Sequence, residues 1–62
     1  MKQQYYYNLG ADKVLVIFNS EGNSVAHVSD VEEDDDIYFL VTDTLYYMEL
    51  VGMEEDIDLT RV

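Results

Sequence analysis

Fourteen Asp and Glu against three Lys and Arg make the carboxylate the dominant chemical group of this 62-residue chain, whose formal net charge is −11. Two clusters hold most of the acids. Asp30, Glu32, Glu33, Asp34, Asp35 and Asp36 put six acids in seven residues, and Glu54, Glu55, Asp56 and Asp58 put four in five. Between Val14 and Thr60 there is no Lys or Arg, and that stretch holds thirteen of the fourteen acids. Carboxylates so crowded and so short of cations are repelled by phosphates and anionic headgroups, so direct binding to nucleic acid or to a membrane is not expected. They suit a partner built to hold phosphates. Residues i and i+2 of a strand project from one face about 6.5–7 Å apart. Successive phosphates of a nucleic-acid strand are similarly spaced, given one charge per about 3.4 Å of axis plus the helical path. Asp56 and Asp58 meet this condition if Ile57 points inward. The plainer use of the same residues is a solvated loop and a polar strand face.

Other chemistries fit less well. Asp30, Glu32, Asp34 and Asp36 alternate as oxygen ligands do in a calcium loop. Counted from Asp30, however, the position that needs Gly is Asp35 and the position that needs the bidentate Glu is Val41. Weak, loosely ordered cation binding is what remains of this reading, and no metal or other cofactor is assigned. His27 is the single histidine and sits mid-strand, where a packed or surface role is expected rather than a catalytic one. There is no Cys, no serine in an elbow or triad setting and no glycine-rich phosphate loop. So short a chain also has little volume for a substrate pocket. An enzyme is not expected, and no catalytic residue is assigned.

Tyrosine is the second notable type: Tyr5-Tyr6-Tyr7, Tyr38 and Tyr46-Tyr47. Adjacent strand residues face opposite sides, so each run must expose rings if one side is core. Tyr6, Tyr38, Tyr46 and Tyr47 are the aromatic candidates for a protein interface, where tyrosine is enriched. Base stacking by these rings conflicts with the charge.

These side chains need a scaffold. Val, Ile, Leu and Phe make up nineteen of the sixty-two residues, above the roughly 20% below which disorder is the default. A folded single domain over residues 1–62 is expected, with a marginal core and self-repulsion working against it. Without disulfides, homodimerisation is the expected source of extra stability, and salt should help. The first residues lack the apolar core of a secretory signal, and the longest apolar runs, 14–18 and 37–41, are far short of a membrane span. A cytoplasmic protein is expected (host-cell cytoplasm if viral).

Gly10, Gly22 and Gly52 separate stretches rich in β-branched and aromatic residues, the pattern of strands and turns. Residues 14–18 read as a strand, Asn19-Ser20-Glu21-Gly22-Asn23 as its turn and residues 24–28 as the return. Residues 37–42 read as a strand with Ile37, Phe39 and Val41 on one face. Asp43-Thr44 then turns it into a strand over 45–51. The rival is a helix over 43–53 capped by Asp43. Residues 57–62 alternate again, and 5–9 form a further strand. Ser29-Asp30-Val31-Glu32 fits a capping box, so residues 30–36 are either a short helical turn or an open acidic loop. The sum is an all-β fold: a small antiparallel meander or barrel of five to six short strands, with α+β as the alternative.

At the level of size, acidity and β content the chain is similar to the phage-encoded DNA mimics, a class that includes inhibitors of DNA repair, restriction and CRISPR nucleases. The likeness assigns no residues. The function expected is a small non-enzymatic inhibitor whose acidic clusters occupy a basic nucleic-acid-binding host protein such as a nuclease, restriction, CRISPR, repair or transcription factor. Tyr, Met and Leu contacts would supply the desolvated anchor. One alternative is a structural or assembly module that pairs through β edges and tyrosines. The other is a weak calcium-binding module.

Overall fold

A computed structural model describes residues 2–52 and 56–62. Its strands are β1 (Gln3–Leu9), β2 (Leu15–Phe18), β3 (Ser24–Val28) and β4 (Ile57–Arg61), and its helix is α1 (Ile37–Tyr47), between β3 and β4. The strands form one sheet in the order β3-β2-β1-β4, antiparallel except for the parallel pair β1–β4.

Local chemistry builds the β2–β3 hairpin as its sequence predicts. The Asn19 carboxamide oxygen accepts from the backbone N–H groups of Glu21 and Asn23, each at 3.0 Å. Gly22 takes φ +86°, a conformation that costs glycine nothing. At the other hairpin, Lys13 enters the left-handed region at φ 64°, and the Asp12 carboxylate accepts from the Val14 N–H at 3.2 Å. Strand alternation then sorts the side chains. Tyr5, Leu15 and Ile17 are buried on one face. Their cross-strand partners Leu59, Leu9, Tyr7, Val28 and Ala26 pack around them.

α1 covers that inner face with Ile37, Val41 and Leu45, all buried and spaced one turn apart. Eight of its eleven residues are β-branched or aromatic, types that favour strands over helices. Burial decides against that propensity. Each fully buried aliphatic side chain gains about 1.5–3 kcal/mol, and these three reach the core together only from a helix. Asp36 begins α1, its carboxylate accepting from the Phe39 N–H at 3.2 Å, as an N-cap does. The helix ends in a Schellman motif: Leu50 N–H donates to the Leu45 carbonyl and Glu49 N–H to that of Tyr46, both at 3.0 Å. Glu49 takes the left-handed position at φ 60°.

Four expectations are corrected. Residues 37–42 and 45–51 are not strands, because Phe39 is exposed and the alternation of Ile37, Phe39 and Val41 is incidental to the four-residue spacing. The helix is capped by Asp36 rather than Asp43 and ends before residue 53. The domain is mostly β, but it is a four-stranded mixed sheet with one helix, not an all-β meander of five or six strands, and the sheet is open rather than barrelled. Ser29–Glu32 starts no helix: the segment to Asp36 is a loop pinned by Val31, which is 2% exposed and whose N–H donates to the Lys13 carbonyl at 2.9 Å.

Candidate partner-binding surfaces

Twelve of the fourteen acids lie among the described residues, and all twelve are exposed. Glu54 and Glu55 lie outside the described residues. The loop between β3 and α1 uses several of its acids to hold its own shape. Asp35 accepts from the Glu32 N–H at 2.9 Å and returns its own N–H to the Glu32 carbonyl at 3.1 Å, closing a turn. Glu32 receives the Lys13 ammonium at 2.8 Å. Glu33 receives the Arg61 guanidinium through two hydrogen bonds, 2.6 and 3.1 Å. That bidentate hydrogen bond holds the Glu33 carboxyl below the usual carboxylate range and the charge of Arg61 adds to it, while Arg61 is raised in turn. Asp30 sits at φ 59°. Of this loop's acids, Asp30 and Asp34 have side chains with no hydrogen-bond or ion-pair partner among the described residues.

These six acids share one loop, and two of the three cations fold back onto it, which the sequence does not show. The second cluster is displayed differently. Ile57 is half-buried against the core while Asp56 and Asp58 are exposed, so the inward turn of Ile57 that their alternate spacing requires is met. Asp58 stands on the outer sheet face opposite Gln4, whose side-chain amide donates to the Asp58 backbone carbonyl at 3.0 Å.

The aromatic candidates divide. Tyr38 and Tyr47 lie on the solvent side of α1, 57% and 89% exposed. Tyr46 is half-buried and packs on the core. Tyr6 is half-buried on the outer sheet face, beside Phe18 and Thr60. Phe39, 63% exposed, was missed as a surface residue because a strand reading turns it inward. The four-residue spacing of Ile37, Val41 and Leu45 is the signal that places it outside.

The outer face of the sheet has a different character. By register it carries Gln4, Tyr6 and Asn8 of β1, Val16 and Phe18 of β2, His27 of β3, and Asp58 and Thr60 of β4. Asp58 is its single carboxylate.

Among the described residues, no three His, Asp or Glu side chains converge to hold a metal ion. No described helix is long and apolar enough to cross a membrane. Comparison with protein-family models, with curated proteins and with solved structures finds no match for this chain.

Proposed function

We propose that this chain is a small acidic, non-enzymatic binding protein that inhibits a basic nucleic-acid-binding protein by occupying its phosphate-holding surface in the cytoplasm. The observation that carries this reading is the fate of the charges. All twelve described acids face solvent, while Lys13 and Arg61 are consumed in ion pairs with Glu32 and Glu33. The exterior therefore offers carboxylates with few competing cations. Such a field accelerates association with a basic cleft and discriminates against acidic partners.

The test uses the immobilised protein to retain nucleic-acid-binding proteins, which are then challenged with duplex DNA at constant ionic strength. Release by DNA is expected, as is loss of retention when Asp34, Asp56 and Asp58 are changed together to Asn, since their carboxylates hold nothing in the fold. Retention indifferent to both DNA and the triple substitution overturns the reading.

A second reading, an assembly module, is favoured by one observation: the outer sheet face, with Tyr6, Val16 and Phe18 at its centre, is nearly free of charge. Two such faces would meet with a single carboxylate apiece, Asp58. Concentration-dependent dimerisation abolished by Val16→Glu would support it.

A further inference from the structure

The core explains only one stripe of α1. Ile37, Val41 and Leu45 are buried, and the opposite stripe, one turn apart at each step, is Phe39, Asp43 and Tyr47. All three are exposed, the rings at 63% and 89%. Residues four apart on a helix stand about 5–6 Å from each other, and eight residues span about 12 Å. The stripe is thus a carboxylate flanked on either side by an aromatic ring, with the Asp36 carboxylate at its start. α1 contains no Lys or Arg.

We infer that this solvent face of α1 is the contact surface for an arginine-bearing segment of the partner, with guanidinium groups stacked on Phe39 and Tyr47 and paired with Asp43 between them. The inference rests on the acidic-binder reading and adds to it where contact is made and which cation is preferred. Two features converge on arginine. Its planar guanidinium stacks on aromatic faces and pairs with a carboxylate in two parallel hydrogen bonds, whereas an ammonium is a strongly hydrated point charge. Exposed rings at the centre of a charged field supply the desolvated anchor that carboxylates lack. A second copy of this chain is disfavoured as the occupant, since Lys13 and Arg61 are already committed and its own α1 brings like charge.

The experiment titrates the whole protein with a short arginine-rich peptide and with a lysine peptide of equal length and charge, followed by calorimetry. The arginine peptide is expected to bind more tightly. Phe39→Ala and Tyr47→Ala should each weaken it about three-fold, which corresponds to an exposed cation–π contact of roughly 0.5–1 kcal/mol, and should weaken the lysine peptide less. Asp43→Asn should weaken both. The circular dichroism of each variant should match the parent, because these side chains are exposed and lie outside the core cluster. Equal affinity for the two peptides, or an arginine preference that survives Tyr47→Ala and Phe39→Ala, overturns this surface while leaving the acidic-binder reading intact. Failure of the parent to bind either peptide overturns both. Self-association lost on Tyr47→Ala overturns it in favour of a second copy.

Discussion

The solvent face of α1 and the outer face of the sheet lie on opposite sides of one thin core, and among the described residues no other element covers either. The helix face interleaves rings with carboxylates, Phe39 and Tyr47 about Asp43. The sheet face groups Tyr6, Val16 and Phe18 among uncharged polar side chains, with Asp58 as its single carboxylate. Both expose apolar area, so apolar exposure alone does not separate them. Charge does. A basic partner gains from the first face and finds almost nothing to pair with on the second, whereas a copy of the same chain is repelled by the first and tolerated by the second.

The comparison breaks most completely if the core between the faces fails. Leu45 is fully buried, and Leu45→Ala should cost about 2–5 kcal/mol, enough to unfold much of so small a domain in a denaturant titration and to abolish both surfaces together. Asp36→Ala should cost about 1 kcal/mol through loss of the α1 cap. Asp36→Asn keeps the cap and removes the charge, so unchanged stability with weaker binding to a basic partner would assign the carboxylate a role in the field as well as in the helix. Val16→Glu puts a charge on the sheet face at a cost of about 1 kcal/mol or less. Binding to a basic partner should survive it, and any self-association seen by sedimentation should not.

Glu49→Gly sharpens the helix end. It should stabilise the fold by about 0.5–1 kcal/mol, because the left-handed position just past the C-cap favours glycine and a negative charge is removed from the negative end of the helix dipole. Thermal melts read this directly. The smallest effect belongs to the Glu33–Arg61 pair. The folded-state pKa of Glu33 is depressed, so its contribution is present above the ordinary carboxylate range and is lost as pH falls through the depressed value. Glu33→Gln should therefore lower the melting temperature slightly at neutral pH and leave it unchanged in strong acid. Because both partners are solvent-exposed, salt should shrink even that difference.

Much of the sheet is legible from residue types alone. Asn19 and Gly22 announce the β2–β3 hairpin, and the alternation of Ile57 and Leu59 with Asp58 and Thr60 announces β4. What could not be read is nonlocal. Nothing in residues 57–61 says that they pair with β1 in parallel rather than with a neighbour in antiparallel. α1 was hidden for a different reason. Tyr38, Phe39, Val41 and Thr42 carry strand propensity, and only the core's demand for Ile37, Val41 and Leu45 together overrides it. The acidic loop was legible as charge but not as structure, since Val31 reads as one apolar residue in a polar run until it is found buried. The exposure of Asp56 and Asp58 followed from alternation, while Phe39 went unrecognised because its face depends on which element it belongs to.

The parallel pairing of β1 with β4 sets Gln3 beside Ile57 and Tyr7 beside Arg61, partners separated by fifty-four residues. Closing so long a loop is entropically unfavourable until nearly everything between is in place, so this pair is expected to form late and to slow folding relative to a purely local topology of this size. Until β4 arrives, β1 is an open edge carrying Tyr5, Tyr6 and Tyr7, an uncharged run of the kind that templates strand addition between molecules. During that interval the net charge of −11 keeps incomplete chains apart. The same charge that repels other acidic molecules thus opposes aggregation of unfinished chains, and refolding at high ionic strength should lose more chain to aggregates than refolding at low.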